Sequence, residues 1–305
     1  MRPNTRAHIF PQLATLLCLG TSAVQAQIQI LPDFQADPTA RVFNGKLYIY
    51  PSHDLAGNRG WDNMYDWHVF STDDMTKWTD HGVIFGIKDI AWANKQAWAP
   101  DCIERNGKYY FYFPAAGRIG VAVADSPTGR FKDALGKPLI AKGGSIDPCV
   151  FIDDDGQAYL YFGGYSRLSM VKLKEDMITL DGPIEEVTMP NYHEGIWVHK
   201  RNGIYYASYP SPDGDNDKKS NLLEYSMSKS PLGPWEHKGV ILDNRSRNVH
   251  GAIVEFKKEW YLIYHVAGLS AYERRVCMER VVYNEDGTIK PMQMSQGPTT
   301  KPSVP

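Results

Sequence analysis

Asp37-Pro-Thr-Ala-Arg-Val-Phe-Asn-Gly45, running on into Lys46-Leu-Tyr48, is the first copy of a pattern that the chain writes five times. The second runs Ala99-Pro-Asp-Cys-Ile-Glu-Arg-Asn-Gly107 into Lys-Tyr-Tyr110, and the third Asp147-Pro-Cys-Val-Phe-Ile-Asp-Asp-Asp-Gly156 into Gln-Ala-Tyr159. The fourth runs Glu194-Gly-Ile-Trp-Val-His-Lys-Arg-Asn-Gly203 into Ile-Tyr-Tyr206, and the fifth His250-Gly-Ala-Ile-Val-Glu-Phe-Lys-Lys-Glu259 into Trp260-Tyr261. The heads lie 62, 48, 47 and 56 residues apart. Each copy reads as a strand, a tight turn and an aromatic strand. Four of the five turns carry Asn-Gly or Asp-Gly, the pairs that suit a type I′ hairpin because both central residues need positive φ. The second halves rhyme as well: His68 to Trp78, Gly120 to Phe131 and Glu224 to Trp235. Four strands per unit, repeated at this length, predict an all-β, five-bladed β-propeller in a single domain. A sandwich, or two separate β domains, would leave the shared head without a cause.

Composition agrees. The 305 residues hold 33 Lys+Arg against 35 Asp+Glu, for a net charge of −2, and 43% of them are hydrophobic. Wholesale disorder is excluded. So are a basic nucleic-acid footprint and an acidic solvating tail. Aromatic residues reach 12%, with 18 Tyr and 8 Trp, and the Tyr at 48, 110, 159, 206 and 261 recur at one place in the unit, as blade packing requires.

The ends carry different signals. Residues 1–26 read as an export signal peptide: Arg2 and Arg6, then the apolar run Leu13 to Leu19, then Val24-Gln25-Ala26 as a loose small-residue cleavage site. The apolar run is far short of the roughly 20 residues that span a bilayer, and no later segment is apolar enough. Leu16-Leu17 before Cys18 lacks the small residue of a lipoprotein signal. The expected localisation is therefore periplasmic or secreted. The propeller is expected over 27–295, with a Pro/Thr/Lys-rich disordered tail over 296–305. Cys102, Cys149 and Cys277 have no metal-site spacing and are read as buried small hydrophobes without a disulfide framework.

The innermost strand of each blade lines the central channel. The heads Asp37, Ala99, Asp147, Glu194 and His250 should therefore meet at one channel mouth. A lone Asp before Pro is a common turn residue. Three carboxylates and a histidine at matching repeat positions are harder to assign to turns. Glycoside hydrolysis needs such a set: one carboxylic acid to protonate the leaving oxygen, and one carboxylate on the opposite face of the sugar. Roughly 6.5–9.5 Å between them admits a water and gives inversion. A third carboxylate can raise the acid's pKa by like charge. Trp98, beside Ala99, should reach the same pocket as a sugar platform, or else cap the second blade.

Ala36-Asp-Pro-Thr39, Trp98-Ala-Pro-Asp101, Ser145-Ile-Asp-Pro-Cys-Val-Phe-Ile-Asp-Asp-Asp-Gly156, Glu194-Gly195 and Val249-His-Gly-Ala252, in that order, resemble glycoside hydrolase family 43. The resemblance covers about Asp33 to Gln293. It implies an inverting, five-bladed enzyme with Asp37 as general base, Glu194 as general acid and Asp147 as the residue that tunes and orients that acid. It matches His250 to a channel histidine that faces calcium in many members. One histidine with waters is sparse beside the six to eight oxygens calcium takes, and a satisfied core histidine is the competing reading. It also implies an arginine on sugar hydroxyls, Arg274 or Arg275, with Arg274 favoured.

The loop Gly57 to Trp67 is either a pocket wall or a solvated connection. Asp213 to Lys219 reads as a solvated turn before a calcium loop. The expected activity is exo-acting release of terminal pentose from oligo- or polysaccharide, as β-D-xylosidase, α-L-arabinofuranosidase or both. The rivals are an endo-arabinanase, which needs an open groove, and a non-catalytic carbohydrate-binding propeller. No nucleic-acid partner and no organic cofactor are expected.

Overall fold

A computed structural model of the chain describes residues 29–212, 221–244, 246, 248–267 and 270–294. The expected leader at 1–26, the tail at 296–305 and the acidic run at 213–219 lie outside the described residues. The strands form five antiparallel sheets, each in sequence order. The first holds β1 (Gln35–Phe43), β2 (Lys46–His53), β3 (Asp66–Thr72) and β4 (Thr79–Gly86). The second holds β5 (Asp101–Arg105), β6 (Lys108–Ala115), β7 (Arg118–Ala124) and β8 (Lys132–Asp133). The third holds β9 (Cys149–Ile152), β10 (Ala158–Gly164), β11 (Arg167–Leu173) and β12 (Glu185–Val187). The fourth holds β13 (Trp197–Arg201), β14 (Ile204–Pro210), β15 (Leu223–Ser228) and β16 (Glu236–Leu242), and the fifth β17 (Gly251–Phe256), β18 (Glu259–Ala267) and β19 (Arg274–Val281). The only helical segment among the described residues is a 3-10 turn at Ile87–Asp89.

The sheets are the blades of a ring. β1 touches β5, β5 touches β9, β9 touches β13, β13 touches β17, and β17 returns to β1. The fifth blade has three strands among the described residues where four were expected. A segment from ahead of β1 lies along its outer edge instead, with the Ile30 amide donating to the Val276 carbonyl at 3.0 Å. The first part of the chain thus closes the ring against the last.

Turn chemistry shapes the hairpins. Asn44-Gly45, Asn106-Gly107 and Asn202-Gly203 all have both residues at positive φ, as a type I′ turn needs. Asp155-Gly156 does not follow them. Only Gly156 is left-handed, and a longer loop joins β9 to β10. The fifth hairpin turns through Lys257 and Lys258 at φ 51 and 68, a strained choice for residues with a Cβ.

Aromatic rings fill the seams between blades. Between blades one and two, Trp67 stacks on Phe85 at 5.8 Å and meets Phe111 and Phe113 at 5.5 Å each. A second repeated tyrosine, two residues beyond the one noted in the sequence, ties each of the first three blades to the next. The hydroxyl of Tyr50 donates to the Pro127 carbonyl at 2.8 Å, Tyr112 to Met177 at 2.5 Å and Tyr161 to Pro231 at 2.5 Å. Each acceptor lies between the third and fourth strands of the following blade. In blade four this place is Ser208, whose buried hydroxyl has no partner. Cys102, Cys149 and Cys277 are buried and free, as expected.

At the channel centre, Arg41 of β1 touches three other blades. It binds Asp101 through Nε at 3.1 Å and Nη2 at 2.5 Å, donates to the Val150 carbonyl at 2.7 Å and sits 4.3 Å from the Trp197 ring. Asp101 also accepts the amides of Cys102 and Val150, so the pair is buried with its lone pairs satisfied.

Tyr112→Phe tests the seam bond. It strands the Met177 carbonyl in a dry interface, which costs about 1–3 kcal/mol. The urea midpoint should fall by that equivalent with an unchanged slope; an unchanged midpoint refutes the bond.

Candidate active site

The five heads meet as the repeat predicts. Asp37, Ala99, Asp147, Glu194 and His250 all line one cavity of about 320 Å³. Backbone geometry aims the acids at it. β1 slips register against β2 between Ala36 and Thr39, and Asp37 within the slip has φ 45. Asp147 stands just ahead of β9 at φ 51. Left-handed Asp is tolerated because its short side chain bonds locally, but two of them at equivalent places mark strain kept for a purpose. Gly195 cannot be replaced as easily: at φ 62, a Cβ there would sit 3.0 Å from Pro210 and 3.3 Å from the His250 ring.

Asp37 is held as a carboxylate. Its Oδ1 accepts from Arg274 Nη1 at 2.7 Å and its Oδ2 from the Ser52 hydroxyl at 2.6 Å. Burial opposes the charge, but Arg274, the two nearby histidines and Ser52 outweigh it and hold the group well below the usual carboxylate range. Burial pushes His250 down to about 4 and His265 to about 3. Both imidazoles are thus neutral near pH 7, and Arg274 with Ser52 does the stabilising there. The Asp37 amide donates to His265 Nδ1 at 3.0 Å. This leaves the ring proton on Nε2, which faces the Asn248 carbonyl at 3.1 Å.

Arg274 is itself fixed. Its Nε and Nη2 grip both oxygens of Asp54 at 2.9 Å each, its amide adds a third bond, and Nη1 also reaches Asn248 Oδ1 at 3.1 Å. The Trp61 ring lies 4.9 Å from the guanidinium carbon. Most of its donors are therefore spent on the protein. Its first partner is the carboxylate of Asp37, where the resemblance implied a sugar contact.

Across the cavity the other two acids are pushed the opposite way. Burial raises Asp147 far above the ordinary value, with Glu194 and Asp37 adding like-charge repulsion; the Gly195 amide, donating to its Oδ2 at 3.0 Å, offsets only part. Glu194 is raised chiefly by burial, with Asp37 adding to it and His193 opposing. Its Oε1 accepts from Asn248 Nδ2 at 2.8 Å. Asn248 therefore bridges Arg274 on one side and Glu194 on the other.

The remaining expectations divide. Trp98 lines the cavity, and its indole donates to the Trp61 carbonyl at 2.7 Å. That places the loop after Gly57 as a wall, through Trp61. Arg275 is a correction. Alternate residues of a strand face opposite ways, and its guanidinium carbon lies 4.7 Å from the Phe34 ring, away from the cavity-lining set.

Sequence reasoning missed Asp54, Asn248, His265 and Ser52, which hold the machinery, and Tyr165, an exposed aromatic at the cavity rim. For calcium the donor set fits poorly. His250 Nδ1 is 3.9 Å from Asp37 Oδ1, an oxygen already taken by Arg274. Among the described residues no third His, Cys, Asp or Glu ligand atom completes a cluster there.

Comparison with known proteins agrees with this geometry. The model for "Glycosyl hydrolases family 43" matches residues 27–289. A xylosidase/arabinosidase of Humicola insolens is 37% identical over 84% of this chain and 96% of its own. A xylosidase/arabinosidase of Bacteroides ovatus is 39% identical over 76% and 86%. A β-xylosidase/α-arabinofuranosidase of this family from a compost metagenome, solved with xylotriose in a calcium-free form, superposes with a TM-score of 0.81 at 35% identity, covering 88% of this chain and 97% of that one.

The opposed shifts have opposite signs in stability. Asp147 binds its proton more tightly folded than unfolded, so its contribution is lost as pH rises through the carboxylate range. Asp37 is depressed, so its contribution is present at neutral pH and lost in acid. Asp147→Asn should raise the melting temperature at pH 7 and lose that advantage by about pH 4. Asp37→Asn should lower it at pH 7. Shifts of the same sign in the two variants would refute the assignment.

Proposed function

The chain belongs to glycosyl hydrolase family 43 and is a glycosidase, and we propose that it removes terminal pentose from xylan- or arabinan-derived chains, as a β-D-xylosidase, an α-L-arabinofuranosidase or both. The observation that carries this reading is the split in protonation within one cavity: Asp37 ionised, Glu194 raised. Two acids whose surroundings push their pKa values apart are a base and an acid.

In the proposed reaction, Asp37 takes a proton from a water as that water's oxygen attacks the anomeric carbon. The glycosidic bond breaks in the same displacement, and Glu194 gives its proton to the departing oxygen. Asp147 accepts the Gly195 amide next to Glu194 and so orients that acid, while burial and the charge on Asp37 raise the acid itself. One displacement inverts the anomeric centre. A cavity with a residue from every blade, walled by Trp61 and Trp98, supports a pocket for a chain end over an open groove. The activities of the relatives named above support pentose as the sugar.

A panel of nitrophenyl β-xyloside, α-arabinofuranoside and galactoside tests the reading; silence on all three would favour a binding module. Glu194→Gln should cut turnover of xylo-oligosaccharides by about 10²–10⁴, the range for a lost general acid. Near-normal turnover removes Glu194 from that role. Proton NMR of xyloside cleavage should show α-xylose first, and β-xylose first would overturn inversion.

The pH profile should be bell-shaped. Its acid limb should lie below about pH 4, because Asp37 is depressed, and its alkaline limb should be displaced upward, because Glu194 is raised. Export through residues 1–26 is part of the proposal, and a secreted form beginning at Gln27 is the outcome that supports it.

A further inference from the structure

Blade one carries a side-chain cluster that hydrolysis does not use. His53 ends β2, while Asp66 and His68 open β3. Carrying the β2–β3 register forward from the Ile49–Phe70 pair sets His53 opposite Asp66. One ligand atom from each of the three lies within 4.8 Å of the others. His53 Nδ1 is 2.7 Å from Asp66 Oδ1, and His68 Nε2 is 3.8 Å from the same oxygen. We propose that these three side chains bind one borderline divalent transition ion of the zinc class, with water completing its shell.

The donor set selects that class. Two imidazoles and one carboxylate suit zinc-like ions, whereas calcium and magnesium take shells of oxygen. The spacing suits it too. With bonds of about 2.0–2.1 Å, ligand atoms around a tetrahedral ion sit roughly 3.3 Å apart. The observed 2.7 and 3.8 Å bracket that value, and all three side chains are half-buried.

A fourth residue prepares the site. Asp80 Oδ1 lies 3.3 Å from His68 Nδ1. Accepting a proton from Nδ1 leaves Nε2 with its lone pair on the side of Asp66. A carboxylate behind a histidine is the usual support of a metal-binding imidazole.

The position gives the ion a consequence. His53 and Asp66 stand at the two ends of the loop that carries Trp61, a wall of the cavity, and His53 adjoins Asp54, which grips Arg274. A bound ion clips that loop at its base.

The test uses the full chain without an affinity tag, stripped by a chelator and titrated with Zn²⁺ against a chromogenic zinc indicator. One Zn²⁺ per chain is expected. Affinity should fall at least about tenfold in His68→Ala and in Asp66→Asn, and about tenfold in Asp80→Asn. It should hold in His250→Ala, which separates this site from the channel. Equal affinity in His68→Ala and the native chain, or loss in His250→Ala alone, would overturn the site. Circular dichroism on each variant excludes misfolding as the cause. Hydrogen exchange over residues 54–65 should slow on Zn²⁺ loading in the native chain and not in His68→Ala; an unchanged rate in the native chain would overturn the clip.

Discussion

One guanidinium joins the architecture to the chemistry. Arg274 stands at the start of the last strand of the last blade, and its partners Asp54 and Asp37 belong to the first blade. The bidentate grip on Asp54 is therefore a ring-closing contact as well as an electrostatic one. A propeller must hold its first and last blades together against the entropy of a long chain, and buried ion pairs serve only if both partners are fully satisfied. Here Asp54 satisfies the cation while leaving Nη1 for Asp37 and Asn248. Arg41 does the corresponding work at the channel centre, joining blades one to four. Together the two arginines link all five blades, Arg41 the first four and Arg274 the fifth to the first, around the cavity that the acids of separate blades share.

The aromatic surplus divides along the same line. The repeated tyrosines at 50, 112 and 161 lock one blade to the next through their hydroxyls, and the rings around Trp67 fill a seam. This is structure, repeated because blades are repeated. Among the described residues, Trp61, Trp98 and Tyr165 are the Phe, Tyr or Trp side chains that line the cavity. They come from connections outside the strands, where the unit does not dictate the residue.

What could be read in the sequence follows from repetition. The heads were legible because each copy confirms the others: Asp37, Asp147 and Glu194 are recognised by rank in the unit, and all three line the cavity. Asp54, Asn248 and His265 were not, because each takes its role from a contact across blades, and Ser52 was not, because its bond to Asp37 on the neighbouring strand depends on the register slip between β1 and β2. Asp54 and Arg274 are 220 residues apart in the chain, and Asp37 and His265 are 228 apart. Nothing local announces either pair. Arg275 shows a limit of another kind. Neighbouring residues on a strand point to opposite faces, so choosing between Arg274 and Arg275 needs the register of β18 against β19, which the sequence does not print. Turn chemistry was reliable where Asn-Gly stood and silent at Lys257-Lys258, where the fold imposes positive φ on residues that do not favour it.

The three acids also explain why a ring of unlike heads is needed. Burial alone would raise all three carboxylates alike. A cation placed centrally would lower all three alike. The site instead has its one guanidinium against blade one, in direct contact with Asp37, while Asp147 and Glu194 stand on blades three and four and feel it only at a distance. The field is graded by position in the ring: the nearest acid is held ionised, and the farther pair repel each other and keep a proton. Base and acid are thus made from the same functional group by where the blades put them. Arg274 heads the influences that lower Asp37, whereas at Asp147 and Glu194 its pull stands behind burial and like charge.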